Sequence, residues 1–355
     1  MPSIITRGAM SAQGFGFGAS SASVPSYAMA YFTDDTNKTI KIYTTADSGE
    51  TWSLSYSNPS SLTGGEVYGI GSQNNNYYFE PYFSGKPFVM TSTGTVSVKA
   101  AKSLSMFVPV PSSTVVLGAD GSVVYKSTDS GSTYGASPVY TGGIFLTTLL
   151  YGNGVFFISH VDTSVSPYGQ KHYYSTDLGG SWTQVTSPLP ATANGISGNG
   201  CFANGYFHVW FPNLDTTGGW LYAKSTNGSS WSTPTVLTGV SQPGVGNYGN
   251  IPGVAYANSR FYSTNNTYGL IQSTDGINWT QVLAPPSGKY VVSCCAVSNG
   301  IIATYVDSSN TGTSATIAKT PFASPSWTTK QTVSFGGSTM VAIPSYNALY
   351  GLNSG

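Results

Sequence analysis

The chain has 355 residues and no net charge, and only 7% of its residues are charged, against about 25% in an average soluble protein. Because it has no basic patch and no run of like charges, we do not expect it to bind nucleic acid or an anionic membrane surface. Its longest apolar stretches, such as residues 143–150 (GIFLTTLL), are far too short to span a bilayer, so we expect no membrane insertion either.

The first 26 residues, MPSIITRGAMSAQGFGFGASSASVPS, are rich in Gly, Ala and Ser and differ from the rest of the chain. They lack the apolar core that a secretory signal peptide requires. We therefore expect an N-terminal arm, residues 1–26, ahead of a single domain that covers residues 27–355.

The rest of the chain repeats one short pattern. An aromatic residue closes the pattern at positions 52, 134, 182, 231, 279 and 327, so the successive gaps are 82, 48, 49, 48 and 48 residues. The first gap is close to two periods, and residues 91–98 (TSTGTVSV) lie where a degenerate copy would fall. A fixed period of about 48 residues is typical of arrays, solenoids and propellers. The copies read TADSGETW (45–52), STDSGSTY (127–134), STDLGGSW (175–182), STNGSSW (225–231), STDGINW (273–279) and KTPFASPSW (319–327).

Each repeat also predicts the same strands. Two apolar runs separated by a turn precede the later copies, as in LLYGNGVFFIS (149–159) and CFANGYFHVWF (201–211), and Asn-Gly is the strongest short hairpin signal. A third strand leads into the pattern and a fourth leaves it, while no segment has a helical period. Four strands per repeat (A, B, C and D) and seven repeats predict an all-β fold, a seven-bladed β-propeller; six blades are the alternative. We expect N- and C-terminal strands to close the ring, which removes free sheet edges.

The pattern resembles the Asp-box, or BNR, repeat (S-x-D-x-G-x-T-W) of sialidase-like β-propellers, from about residue 27 to the end of the chain. The resemblance implies that each box forms the outer C–D turn of its blade, remote from any catalytic pocket. A short carboxylate accepts backbone N–H groups within its own turn, and a large aromatic ring suits the gap between blades. We therefore expect structural roles for the box residues Asp47, Asp129, Asp177, Asn227, Asp275, Trp52, Trp182, Trp231 and Trp279.

The resemblance does not extend to the sialidase active site. Sialidases of this fold hold the substrate carboxylate with three arginines, whereas this chain has two, Arg7 and Arg260. Other glycoside hydrolases need two carboxylates at a suitable separation, and Glu66 and Glu80 are candidates that cannot be placed within a repeat. The histidines and cysteines have no metal-ligand spacing, so we expect no metal, no cofactor and no catalytic residue. They are His160, His172, His208, Cys201, Cys294 and Cys295.

In a four-stranded blade the B–C loops lie on the face opposite the C–D turns, and relatives of this fold bind ligands there. The predicted B–C loops combine Asp or Asn with Thr or Ser, which suits sugar hydroxyls or a polar protein surface. The same residues are also ordinary in loops that bind nothing. The candidate ligand-binding residues are Asp35, Asp162, Asp215, Asn266 and Asp307.

Within the arm, residues 7–18 (RGAMSAQGFGFG) are similar to an N-terminal segment of structural and tail proteins of tailed bacteriophages. The resemblance implies a non-enzymatic virion protein, made in the host cytoplasm, whose arm binds other virion proteins. Its propeller would decorate the capsid or tail, or attach the particle to a host-surface glycan. The alternatives are a tail-associated glycoside hydrolase and a bacterial surface or assembly-factor propeller, with an extracellular or cell-surface location.

Overall fold

A computed structural model gives the fold of the chain as seven β-sheets, with no helix among the described residues. The structure describes residues 27–34, 39–58, 67–73, 76–81, 87–91, 95–98, 102, 104, 106–143, 146–162, 169–186, 199–212, 220–239, 254–265, 267–307, 314–334 and 348–351. The N-terminal arm lies outside these residues.

The strands are numbered in chain order. They are β1 Ala28–Asp34, β2 Thr39–Thr45, β3 Ser53–Asn58, β4 Val67–Gln73, β5 Asn76–Pro81, β6 Phe88–Thr91, β7 Val96–Val98, β8 Met106–Pro109, β9 Val116–Asp120, β10 Val123–Ser127, β11 Tyr140–Thr141, β12 Leu146–Gly152, β13 Val155–Asp162, β14 Gly169–Ser175, β15 Thr183–Gln184, β16 Asn199–Ala203, β17 Tyr206–Pro212, β18 Trp220–Ser225, β19 Thr235–Val236, β20 Thr238–Gly239, β21 Ala255–Ala257, β22 Arg260–Asn265, β23 Gly269–Ser273, β24 Asn278–Leu283, β25 Lys289–Val297, β26 Gly300–Asp307, β27 Ser314–Pro321, β28 Thr328–Ser334 and β29 Ala348–Gly351.

The sheets are the blades of a seven-bladed β-propeller. Blade 1 combines β29 with β1–β3, and blades 2 to 7 are β4–β7, β8–β11, β12–β15, β16–β19, β21–β24 and β25–β28. The predicted fold class and blade number are therefore confirmed. The six-blade alternative is wrong, because residues 91–98 join β6 and β7, which are the C and D strands of blade 2.

Blade 1 closes the ring with strands from both ends of the described chain. β29 pairs antiparallel with β1, with Ala348 opposite Tyr31 and Gly351 opposite Ala28. It is the inner strand of its blade and contacts the inner strands β25 of blade 7 and β4 of blade 2. The predicted ring closure is thus made by one C-terminal strand and three N-terminal strands.

The predicted Asn-Gly hairpins occur in blades 4 and 5. Asn153 and Asn204 have φ 49°, and each following glycine has φ 79°, as a type I′ turn requires. Blade 7 differs, because its turn consists of Ser298 and Asn299 while Gly300 is the first residue of β26. A Cβ atom on Gly300 would lie 2.3 Å from the carbonyl oxygen of Thr320, so this glycine permits a close approach of β27.

The hydrophobic core consists of layers between neighbouring blades, and each buried cluster takes side chains from two of them. Phe32 of blade 1 packs with Ile302 of blade 7, and Trp210 of blade 5 packs with Phe261 of blade 6. The neighbouring residues Cys294 and Cys295 belong to different layers, facing blades 6 and 1, and both are buried free thiols.

Candidate functional site

The turns of the propeller lie on two opposite faces. The A–B and C–D turns share one face, which we call the box face, because the five readable boxes and the degenerate copy at 319–327 are C–D turns. The B–C turns and the D–A connections between blades share the other, which we call the B–C face. These two faces separate the residues predicted to be structural from those predicted to bind a ligand.

On the box face each acidic box residue is bonded within its own turn. Asp47 Oδ1 accepts hydrogen bonds from Thr45 Oγ1 at 2.7 Å and from the backbone N–H of Thr51 at 2.9 Å, while Oδ2 accepts one from Thr51 Oγ1 at 2.6 Å. The Thr45 hydroxyl in turn accepts the backbone N–H of Gly49 at 3.0 Å. Gly49 has φ 82°, a conformation that favours glycine.

The other boxes repeat this arrangement with the spacing of their sequences. In the longer boxes the backbone N–H four positions after the aspartate donates to it, at 2.8 Å from Thr133 to Asp129 and 2.8 Å from Ser181 to Asp177. In the shorter boxes the N–H three positions on donates, at 2.9 Å from Ser230 to Asn227 and 2.8 Å from Asn278 to Asp275.

These bonds favour the ionised carboxylates. Desolvation raises the pKa of Asp47 and of Asp275, but hydrogen bonds from Thr51 and from Asn278 outweigh it and lower each pKa to about 2. Hydrogen bonds from the backbone and hydroxyl of Ser181 hold the pKa of Asp177 well below its usual value. A carboxylate that stays ionised at neutral pH and already has its acceptors occupied is a poor general acid. The geometry agrees with a structural role, which remains a prediction.

The box tryptophans contact the preceding blade in the ring. Trp231 of blade 5 lies 4.6 Å from Phe157 of blade 4 between ring centroids, and Trp182 of blade 4 lies 5.4 Å from Tyr140 of blade 3. Trp279 packs with blade 5 in the same way, and Trp52 packs with blade 7. Three of the four indole N–H groups donate to the glycine carbonyl of their own box, those of Trp52, Trp231 and Trp279.

Two of the five candidate ligand residues lie within the described part of the B–C face. Asp162 ends β13 and its Oδ2 lies 3.0 Å from Lys171 Nζ, and Asp307 ends β26 with its Oδ1 2.6 Å from Lys289 Nζ. The Asp162 side chain is 13% exposed and that of Asp307 is 32% exposed, so both reach solvent. The other three candidates, Asp35, Asp215 and Asn266, lie outside the described residues.

The structure also shows an equivalence that sequence reasoning missed. Asp162 and Asp307 occupy the same position, the last residue of an eight-residue B strand, although their lysines come from different neighbouring strands. In blade 1 this position belongs to Asp34, the last residue of β1, rather than to Asp35. Lys41 occupies the position in β2 that Lys171 has in β14, because it pairs with Phe32 as Lys171 pairs with His160. The dipeptide Val-Asp, which ends both β13 and β26, is the sequence signal from which this equivalence could have been predicted.

One further turn on the B–C face was missed by sequence reasoning. In blade 3 the turn between Asp120 and Val123 contains only two residues, and the carbonyl of Gly121 accepts the N–H of Leu146, the first residue of β12 in blade 4, at 2.7 Å. The turn signal Asp-Gly could have located it. In the predicted loop of blade 6, Asn265 Oδ1 accepts the N–H of Thr267 at 2.8 Å.

The histidines are buried, and His160 is bonded across the junction of blades 3 and 4, whereas His208 is bonded within blade 5. His160 Nδ1 lies 2.7 Å from the Tyr140 hydroxyl of blade 3, whereas His208 Nδ1 lies 2.6 Å from the Tyr222 hydroxyl and its ring contacts Phe261 of blade 6. The two rings therefore pack toward different neighbouring blades. Desolvation lowers the pKa of each to about 4, so both are neutral at pH 7. His172 Nδ1 lies 2.7 Å from the Ser159 hydroxyl within blade 4, and both residues are buried.

Metal-binding and membrane-spanning features are likewise missing from the described ranges. No group of three or more His, Cys, Asp or Glu there is placed to hold a metal ion. No helix in those ranges is long and apolar enough to cross a membrane. Glu66 and the side chain of Glu80, the candidate hydrolase carboxylates, lie outside the described residues.

Solved structures share the fold of this chain, although no protein-family model and no curated protein matches its sequence. The BP39L lectin from Burkholderia pseudomallei is 14% identical, with a TM-score of 0.54 over 90% of this chain and 100% of the lectin. YCF48 bound to D1 peptide is 12% identical, with a TM-score of 0.52 over 83% of this chain and 96% of YCF48. At such low identities the likeness concerns the fold alone, and the chain is a β-propeller.

Proposed function

We propose that the chain is a non-enzymatic structural protein of a bacteriophage virion, and that its propeller recognises a host-surface glycan through the B–C face. The observation that carries the recognition part is the pair of lysine-bound carboxylates, Asp162 and Asp307, on that face. Each is the last residue of a strand, and each is partly exposed, so both carboxylates reach the solvent where a sugar would bind. Side chains that an ion pair fixes on a regular strand suit precise recognition better than side chains on long loops.

The same geometry favours binding over hydrolysis. Glycoside hydrolases place two carboxyl groups about 5 to 10 Å apart on either side of the scissile bond. Asp162 belongs to blade 4 and Asp307 to blade 7, with blades 5 and 6 between them. The acids of the boxes and Glu50 lie on the box face, opposite Asp162 and Asp307. The fold is also that of a lectin, which supports a sugar-binding propeller without establishing one.

The virion part of the proposal rests on the sequence. It is supported by the low charge and by residues 7–18, which are similar to an N-terminal segment of tailed-phage structural and tail proteins. Residues 1–26 precede the propeller and are the proposed attachment to other virion proteins.

Glycan binding is tested by a matched pair of substitutions. Asp162→Asn and Glu50→Gln each remove one lysine-bound carboxylate, the first from the B–C face and the second from the box face. On a glycan array we expect wild type and Glu50→Gln to bind the same sugars, and Asp162→Asn or Asp307→Asn to bind at least about tenfold more weakly. Equal binding by all variants, or cleavage of the bound glycan, would contradict the proposal.

Particle association is tested by mass spectrometry of purified virions from the source. We expect the full chain in the particle, and we expect a chain without residues 1–20 to be absent from it while its propeller stays folded by circular dichroism. Full incorporation of the truncated chain would assign attachment to the propeller. Absence of the full chain from the particle would favour a bacterial surface or assembly-factor propeller.

A further inference from the structure

The outer strands of the blades differ in how far they expose a backbone edge. In blades 2 to 5 the described outer strands have only two or three residues. In blade 6 the outer strand β24 has six residues, and β20, from the connection between blades 5 and 6, pairs with it on the outside. Only β3 of blade 1 and β28 of blade 7, among the described outer strands, are long and have a strand neighbour on one side alone. These two strands are open edges.

The β3 edge lacks most of the features that protect β-sheet edges. Natural edges are kept from pairing by lysine, by proline, by bulges, by short length or by a covering segment. β3 has a bulge at Ser55, but β24 has the same bulge at Val282 and still pairs with β20. Residues 53–58 (SLSYSN) contain neither a charge nor a proline, and Leu54 is 51% exposed. β28, whose residues are all described, exposes no large hydrophobic side chain. It also carries a charge, because Lys330 lies on this strand, 2.5 Å from Glu50. The β3 edge is therefore the stronger docking strand.

The N-terminal arm joins the propeller beside this edge. Ala28 pairs with Thr45 and Ser53 pairs with Thr44, so β1 and β3 both begin at the box face. A chain that passes from the outer side of β3 to the start of β1 crosses three strand spacings, about 14 Å, which takes about five extended residues. The arm has 26 residues, so enough remain to pair along the whole of β3.

The direction and composition of the arm also suit this edge. An arm that runs along β3 toward the box face and then enters β1 is antiparallel to β3, and antiparallel pairing is the more stable arrangement. The arm contains the β-prone run Ile4, Ile5 and Thr6, and its one charged side chain is Arg7.

We propose that, in the free protein, the N-terminal arm (residues 1–26) docks on the outer edge of β3 as a fifth strand of blade 1, with its apolar residues against Leu54. β20 covers part of β24 by parallel pairing over two residues, so the fold already contains one blade extended by a neighbouring segment. We assign the docked segment to the arm of the same chain rather than to a second copy, because a short tether gives that arm an effective concentration in the millimolar range. The inference goes beyond the proposed particle attachment and does not depend on it.

The test is hydrogen exchange followed by mass spectrometry on the full chain, in wild type and two matched variants. Leu54→Lys places a charge on the β3 edge, and Val236→Lys places one at the other exposed large hydrophobic residue of the described ranges, which is 48% exposed on the short strand β19. We expect protection of arm amides in wild type and in Val236→Lys, and at least about tenfold faster exchange of the arm in Leu54→Lys.

Three results would overturn the assignment. The first is arm exchange at the rate of an unstructured peptide in wild type, and the second is unchanged arm protection in Leu54→Lys. The third is arm protection that rises with protein concentration together with a doubled mass by light scattering, since a second copy would then supply the arm. An unchanged melting temperature shows that Leu54→Lys is folded, and Ser53→Lys on the same strand, opposite the uncharged Thr44, replaces it if that variant unfolds.

Discussion

A box turn uses its acidic residue mainly as a hydrogen-bond acceptor. Asn227 accepts from Ser225 Oγ at 3.1 Å and from the N–H of Ser230 at 2.9 Å through its single amide oxygen, in the way that Asp177 Oδ1 accepts from Ser175 and Ser181. An aspartate adds a second acceptor, since Asp177 Oδ2 accepts the Ser181 hydroxyl at 2.7 Å. Charge is therefore secondary to the presence of an acceptor at this position.

Asp177→Ala and Asp177→Asn should accordingly differ. Alanine leaves the Ser175 hydroxyl and the Ser181 N–H without their acceptor, whereas asparagine keeps Oδ1. By differential scanning calorimetry, we expect Asp177→Ala to melt a few degrees below wild type. Asp177→Asn should melt at a temperature between those of wild type and Asp177→Ala. Loss of glycan binding by Asp177→Ala at unchanged melting temperature would instead argue for a site on the box face.

The buried histidines predict acid sensitivity. Desolvation lowers the pKa of His208 to about 4, below the unfolded value of about 6.5, so the unfolded chain binds more protons between these pH values. The free energy of unfolding is therefore unaffected by the titration of this group above pH 6.5. It falls as the pH drops from 6.5 toward 4, by roughly 3 kcal/mol for this one group. The lowered pKa of Asp47, about 2, adds a second loss as the pH falls below about 4.

His208→Phe separates the histidine effect from the rest. The variant is less stable at pH 7, because it leaves the Tyr222 hydroxyl without its partner at 2.6 Å, but its stability should fall less steeply between pH 6.5 and 4. Urea unfolding across this pH range measures the slope. A slope equal to that of wild type would show that His208 does not carry the acid sensitivity.

At the scale of strands and turns, local signals were predictable and cross-strand partners were not. The Asn-Gly hairpins at residues 153 and 204 and the box turns depend on neighbouring residues, and the sequence predicts their positions. The pairing of Asp162 with Lys171 and of Asp307 with Lys289 depends on strand register, which joins residues far apart in the chain. The sequence predicts the hairpin of blade 7 as well, but places its turn one residue too late, because Asn299-Gly300 fits a type I′ turn whereas Gly300 belongs to β26.

Gly300 tests the close approach of β26 and β27. A Cβ atom there would lie 2.3 Å from the Thr320 carbonyl oxygen, so Gly300→Ala must displace backbone. We expect a loss of about 1–3 kcal/mol in the free energy of unfolding. Gly135→Ala is the control, because its Cβ atom would meet no heavy atom closer than 3.5 Å and its stability should change by much less. Equal effects of the two substitutions would count against the steric reason.

At the scale of the whole molecule, ion pairs and hydrogen bonds join blade 7, late in the described chain, to the early residues of blade 1. Glu50 of the first box lies 2.5 Å from both Lys319 and Lys330 of blade 7, and the Lys319 side chain is only 6% exposed. The Ser48 and Ser298 hydroxyls are 2.6 Å apart across the same junction. The period of the repeat predicts the number of blades, but these contacts join residues more than 240 positions apart and have no signature in a single sequence.

Removal of the last eight residues, 348–355, should therefore open the ring. It takes away β29, so β1 loses its inner partner, and blades 7 and 2 lose the inner strand that lies between them. We expect a melting temperature lower by at least about 5 °C and soluble aggregates in size-exclusion chromatography, because an inner strand edge is then exposed. Removal of residues 352–355 alone is the control, since it leaves β29 complete, and it should change neither measurement. A chain without residues 348–355 that stays monomeric and melts with wild type would show that β1–β3 form a stable blade by themselves.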